Sequence, residues 1–356
     1  MSKLEANELF IFGFNGTSLS LELKKFLAQK NNGGIILFRR NIESIEQVIA
    51  LNTEIIESNA AYPPIISVDQ EGGRVARLRG ITCDIPPMGA LRSIFLREPQ
   101  LCYRLGAMIA RELVALGFNL DFAPICDIAI NQKHDDIVGD RAFSDNAEEV
   151  AQLGALFIKG MQGAGLAACA KHFPGHGSTS VDSHFDLPKV ATKQELMRAR
   201  ELVPFRSAID ANVATIMTAH IVATDFDTLP ATLSPMVIAQ LLRHELGFKE
   251  VVISDDLDMQ SIANHYELRD IIEQAMMASI DMFIIGNNFE KTHEAIAIAQ
   301  ELIDSNEHIK NMAQKAIVRI RHLRSRFLGA PAIPNASYAK SVVKSLPHLE
   351  LLEACR

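Results

Sequence analysis

The sequence predicts an α/β protein folded as a single closed barrel of eight parallel strands, the (β/α)8 or TIM-type barrel. Three observations predict it. Eight short apolar runs recur along the chain, amphipathic stretches of helical period separate most of them, and polar residues gather at the ends of the runs.

The runs occupy residues 9–14, 34–38, 65–68, 120–123, 167–170, 214–218, 251–254 and 282–285. Such short, continuously apolar segments suit strands buried on both faces. Residues 98–116, 148–164 and 193–211 read as helices between them, and strand alternating with helix implies a parallel sheet. A count of eight favours closure over an open sheet. Residues 294–327 read as one or two helices that complete the barrel. The Ala-Pro-Ala-Ile-Pro-Asn stretch after Gly329 stops them, leaving a tail from about 330 to 356, either a docked helix or a mobile end. No repeat, low-complexity tract or linker composition interrupts the chain, so residues 1–356 read as one domain.

The composition, 48% hydrophobic and 22% charged over 356 residues, is that of a globular protein with a large core. A formal net charge of −8, with no basic-aromatic patch, excludes a nucleic-acid backbone as partner. Five scattered cysteines without a Cys-x-x-Cys pair read as reduced thiols, neither a zinc ribbon nor a disulfide framework. Acidic residues stand where a signal peptide would have its apolar stretch, and no run reaches the roughly 18 apolar residues of a membrane span. The expectation is a cytoplasmic protein without a membrane partner. No interface motif is evident, which favours a monomer.

The ends of the runs carry the chemistry. Asp69 follows the third, Asp121 lies in the fourth, Lys171 and His172 follow the fifth, His220 the sixth, Asp255 the seventh and Asn287 the eighth. Barrel enzymes place their active sites at the carboxyl ends of their strands.

The densest cluster is Lys171-His172-Phe173-Pro174-Gly175-His176-Gly177, followed by Asp182-Ser183-His184. Its Gly and Pro content makes it a loop. Three readings compete: a metal site on His172 and His176 with Asp182 and His184 nearby, a Schiff base on Lys171, and an acid–base dyad of Asp182 and His184. A loop histidine that only caps backbone is the plainest alternative. A second cluster, Ser254-Asp255-Asp256-Leu257-Asp258-Met259, puts Asp255 at the barrel mouth. Asp256 and Asp258 read as residues that start the next helix, although three close acids also suit a divalent cation. The third, Asp69-Gln70-Glu71-Gly72-Gly73-Arg74-Val75-Ala76-Arg77, has two glycines that let acids and arginines converge on a small ligand. A structural turn bearing an ion pair would look the same.

Together with Gly139-Asp140-Arg141-Ala142-Phe143, these segments span about residues 8–290. In order and spacing they resemble the glycoside hydrolase family 3 β-N-acetylglucosaminidases of the bacterial peptidoglycan-recycling type. The resemblance implies that Asp255 is the nucleophile, His184 the general acid/base and Asp182 the carboxylate that holds and polarises it. It implies that Asp69, Arg77, Arg141, Lys171 and His172 bind the non-reducing N-acetylglucosamine, while His176 and Glu71 shape the loops. The implied reaction is retaining hydrolysis of muropeptide fragments in cell-wall recycling, through a covalent glycosyl-enzyme, with no metal or organic cofactor. Longer family members take their acid/base from a second domain, whereas this chain carries Asp182-x-His184. Phosphorolysis on the same fold is the nearest alternative reaction, and a Schiff-base lyase using Lys171 is the alternative from another class.

Overall fold

A computed structural model describes residues 4–29, 31–59, 61–130, 137–176, 187–328 and 333–355. Eight strands form the closed barrel: β1 (Phe10–Phe12), β2 (Gly34–Leu37), β3 (Ile65–Val68), β4 (Leu120–Asp121), β5 (Ala167–Phe173), β6 (Thr215–Thr218), β7 (Val251–Asp256) and β8 (Met282–Ile285). Each pairs in parallel with its neighbours in chain order, and β1 pairs with β8 to close the ring. The predicted (β/α)8 barrel is the observed one.

The apolar runs become strands because both their faces are covered. Every strand residue is buried except Asp255 and Asp256, which are half-exposed at the end of β7. Each Ile, Val or Phe taken fully out of water contributes about 1.5–3 kcal/mol. Hydroxyls admitted to this interior are paired: Ser67 donates to the Ile35 carbonyl at 2.9 Å and Thr215 to that of Ala168 at 3.1 Å.

The main helices are α1 (Leu21–Gln29), α2 (Ile45–Ser58), α3 (Gln100–Ala115), α4 (Ala147–Gly163), α5 (Leu202–Asp210), α6 (Leu268–Ala278), α7 (Phe289–Ser305), α8 (Glu307–Phe327), α9 (Ala336–Val342) and α10 (Leu346–Ala354). A π-helical segment, Met236–Glu245, takes the place of an α-helix between β6 and β7. The helix expected over 193–211 is two, Gln194–Ala199 and α5. Pro204 lacks the N–H that would have bonded back to Arg200, and it is tolerated because it falls in the first turn of a new helix. The helical stretch 294–327 likewise splits at Asn306, whose side chain accepts the N–H groups of His308 and Ile309 and so begins α8. The tail docks: α9 and α10 pack on the outside of α2 and α3, with Lys340 of α9 paired to Glu46 of α2.

Two strands run past their predicted ends. β5 continues through Lys171, His172 and Phe173, and β7 through Asp255 and Asp256. Residues expected just after these strands therefore sit on them, where hydrogen bonding to neighbouring strands fixes their backbone.

Candidate active site

At the carboxyl ends of the strands the barrel opens into a cavity of about 450 Å3. Its walls include six residues singled out from the sequence, Asp69, Arg77, Arg141, Lys171, His172 and Asp255, together with Glu71, His176 and Asp256. Asp182 and His184 lie outside the described residues.

One side of the cavity is a charged frame. A small antiparallel hairpin, residues 70–72 against 75–76, follows β3 and carries Asp69, Glu71 and Arg77. Gln70 anchors it from within: its N–H donates to Asp121 Oδ1 at 2.8 Å and its Oε1 accepts the Leu78 N–H at 3.0 Å. Glu71 accepts both arms of the Arg141 guanidinium, at 2.8 and 2.9 Å. The Lys171 ammonium bridges Asp69 and Glu71, 2.7 Å from each, and Arg77 stands 3.6 Å from Asp69. Burial opposes the charge on Glu71, but Arg141 and Lys171 outweigh it and hold the carboxyl far below the usual range.

Burial also opposes the charge on Lys171, and the two carboxylates overcome it, pushing the amine above its ordinary value. A Schiff-base nucleophile needs the opposite shift. The lysine-centred lyase reading is therefore at odds with the geometry.

Asp127 was not singled out from the sequence, yet it organises the next part of the wall. One carboxylate oxygen accepts the His172 N–H at 3.1 Å and lies 2.7 Å from its Nδ1; the other accepts the His176 N–H at 2.6 Å. The His172 ring is thereby oriented, with Nδ1 turned to the acid. Burial penalises the Asp127 charge, and His172 and His176 offset this enough to keep its pKa below the ordinary value. Burial lowers the His176 imidazole to about 4, so it is neutral near pH 7. A signal was available: Asp127 is the single charge in the otherwise apolar stretch 122–130.

Asp255 ends β7 with its Oδ1 accepting the Asp256 N–H at 2.8 Å. Burial raises its pKa, but the imidazoles of His172 and His220, the Asp256 N–H and Lys171 carry it below the usual aspartate value. Behind it, His220 is fully buried, with Nε2 3.1 Å from the Asp256 carbonyl and Nδ1 2.8 Å from the Thr232 hydroxyl. Burial lowers the His220 pKa, so the ring is neutral. Its Nε2–H donates to the carbonyl and Nδ1 accepts from Thr232, which fixes the peptide next to the Asp255 side chain.

Asp256 and Asp258 are not helix-start residues, contrary to expectation. The next short helix begins at Gln260. Asp256 Oδ1 accepts the N–H groups of Asp258 and Gly286, both at 3.0 Å, and so stitches β7 to the end of β8. A Cβ on Gly286 would stand 2.5 Å from Asp256 Oδ2, so only glycine allows this approach. Burial raises Asp256 to about 7. The adjacent carboxyls thus differ: near pH 7 Asp255 is ionised and Asp256 is partly protonated. Asp258 pairs with Lys291 at 2.8 Å.

Asp121 sits beneath the charged frame, wholly buried, with one oxygen on the Gln70 N–H and the other without a partner among the described residues. Burial lifts its pKa to about 8. The folded-state value lies above the ordinary ~3.9, so the stability this group contributes is complete below pH ~4 and is lost as pH rises toward 8. Asp121→Asn is expected to gain about 2–4 kcal/mol over wild type at pH 9 and to match it near pH 4, as read by urea unfolding at the two pH values. Equal differences at both would show that Asp121 is not protonated in the fold.

Among the described residues, the one trio of Cys, His or acidic side chains whose ligand atoms all lie within 4.8 Å of one another is Cys83, Glu112 and His348, and it lies outside the cavity.

Residues 4–323 match the model of the glycosyl hydrolase family 3 N-terminal domain. A β-hexosaminidase of Alkalilimnicola ehrlichii is 39% identical over 284 residues, 79% of this chain and 81% of the relative. One from Idiomarina loihiensis is 42% identical over 277 residues, 77% and 82% of the two chains. Among solved structures, a family 3 β-N-acetylglucosaminidase from a Paenibacillus species superposes with a TM-score of 0.91 at 35% identity, over 100% of this chain and 68% of that one. NagZ from Neisseria gonorrhoeae gives 0.80 at 29% identity, over 98% and 96%. By sequence over most of its length, and by a barrel whose charged residues gather at one mouth, the chain belongs to glycosyl hydrolase family 3, among its β-N-acetylhexosaminidases.

Proposed function

We propose that the protein is a retaining exo-β-N-acetylglucosaminidase that removes non-reducing N-acetylglucosamine from muropeptide fragments, in which the sugar is β-1,4-linked to 1,6-anhydro-N-acetylmuramic acid with or without peptide. It acts in the cytoplasm as a monomeric single domain. The observation that carries the reading is Asp255, a half-exposed carboxylate at the end of β7, kept ionised beside a frame of fixed acids and cations.

Asp255 attacks the anomeric carbon while His184, held by Asp182, protonates the departing glycosidic oxygen. The sugar–oxygen bond breaks and a glycosyl ester forms. His184 then takes a proton from water, which attacks the same carbon, restoring the β configuration and freeing Asp255. The alternating cations and carboxylates of Lys171, Asp69 and Arg77 suit sugar hydroxyls, which both donate and accept. Arg141 and His172 complete that wall. The role of nucleophile goes to Asp255 and not Asp256, because Asp256 is partly protonated and holds β7 to β8.

The test is turnover of anhydro-muropeptide and of a nitrophenyl β-N-acetylglucosaminide by wild type and His184→Ala. The variant is expected to lose about 10^2–10^4-fold on the muropeptide, with less loss in glycosylation by the nitrophenyl sugar, whose leaving group needs no proton. Equal loss in kcat/KM, which reports glycosylation, on both would remove His184 as the acid. Wild type preferring chitobiose over the muropeptide would overturn the substrate. Appearance of N-acetylglucosamine 1-phosphate only when phosphate is added would turn the reaction into phosphorolysis.

A further inference from the structure

Away from the cavity, three chemically distinct side chains converge from distant parts of the chain. Cys83 lies in the loop beyond the active-site hairpin, Glu112 is on α3 and His348 is on α10. Their sulfur, carboxylate oxygen and imidazole nitrogen lie within 4.8 Å of one another, and all three residues are buried.

Glu112 is well supplied with hydrogen bonds. Its Oε2 accepts the Cys83 N–H at 2.8 Å, and its Oε1 takes the Lys344 N–H at 2.8 Å and His348 Nδ1 at 2.9 Å. It lacks a permanent cation. The other buried glutamates, and Asp281, have one: Glu8 pairs with Arg321, Glu71 with Arg141 and Lys171, Glu201 with Arg200, and Asp281 with Arg243 and Arg319. Among the described residues, no lysine or arginine side chain pairs with Glu112. Its one charged partner is His348, 2.9 Å away, which balances the carboxylate only when the imidazole is protonated.

We propose that Cys83, Glu112 and His348 form a binding site for a divalent cation of borderline softness, zinc foremost, that ties the C-terminal helix to the barrel. Thiolate, carboxylate and imidazole are the side chains zinc takes, whereas calcium and magnesium require oxygen donors. On binding, the Cys83 thiol releases its proton to solvent and its sulfur becomes a ligand. His348 offers Nδ1 in its Nε2–H tautomer, so the hydrogen bond to Glu112 is exchanged for two bonds to the metal. Thiolate and carboxylate together balance the two positive charges, and the cluster is electrically neutral inside the protein. One place on a tetrahedral ion is left for a water.

The full-length protein, stripped with chelator and desalted, is titrated with zinc chloride and with cobalt chloride. One equivalent of zinc is expected to stay bound through desalting and to raise the Tm by a few degrees. Cobalt is expected to give a thiolate-to-cobalt charge-transfer band. Cys83→Ser should abolish the band, and His348→Ala should weaken zinc binding at least tenfold, while both keep nitrophenyl-sugar hydrolysis. The band in wild type reports sulfur ligation by itself if Cys83→Ser fails to fold, and His348→Ala then assigns it. Absence of the band, a band unchanged in His348→Ala, or an equal Tm rise in Cys83→Ser would each overturn the site. The trio would then be a hydrogen-bonded clasp.

Discussion

Asp255→Ala is expected to lower kcat on a nitrophenyl β-N-acetylglucosaminide by about 10^4-fold or more, since a covalent nucleophile acts with its acid/base as one unit. Sodium azide is expected to restore turnover. The space left by the carboxylate admits the small anion on the face opposite the leaving group, and the product is the α-glycosyl azide, which NMR identifies by its anomeric proton. Asp255 is suited to this role by its surroundings. Its backbone lies at the end of β7, its oxygen is held by the Asp256 N–H, and His220 behind it is tied to the next peptide. A variant within tenfold of wild type would place the nucleophile elsewhere, and Asp256→Ala would be the next test.

Lys171→Met is expected to cost about 3 kcal/mol of stability, the order seen when one member of a buried ion pair is removed. It is also expected to abolish measurable turnover. Lys171 is 2% exposed, and its ammonium is the shared partner of Asp69 and Glu71. Its loss leaves Glu71 with Arg141 alone and Asp69 with Arg77 at 3.6 Å. Adding Glu71→Gln should cost less than the sum of the single changes, because each has already broken the same contact. Urea unfolding of the four proteins measures this coupling, and strict additivity would show that Lys171 and Glu71 do not act together. The pH sign is fixed by the depressed Glu71 carboxyl: its contribution is complete above the unfolded value of ~4.3 and is lost as pH falls below it. Glu71→Gln should therefore flatten the acid limb of the stability curve.

The barrel was legible because each strand is buried on both faces and reads as an unbroken apolar run. Six of the eight singled-out site residues face one cavity because the ends of such runs all open at one mouth. Asp127 escaped notice because it stands on no strand: its position depends on an irregular stretch after β4 whose path no periodicity encodes. Asp256 was misread for a related reason. Its carboxyl is used by Gly286, just past the neighbouring strand β8, a long-range contact that looks in sequence like an ordinary acid before a helix. The break within 193–211 was readable at Pro204, where the apolar periodicity carried on regardless.

The charged frame and the docked tail should part company in concentrated salt. At 1 M ionic strength the Debye length falls to about 3 Å, and mobile ions screen any pair they can surround. Lys340 and Glu46, which help hold α9 against α2, are each more than half exposed and are open to such ions. Lys171 and Glu71 are shielded by the barrel wall, with side chains 3% exposed. Salt should leave the electrostatics around the cavity's acids nearly unchanged while it loosens the latch on the tail, so that one molecule holds a salt-tolerant cavity and a salt-sensitive edge.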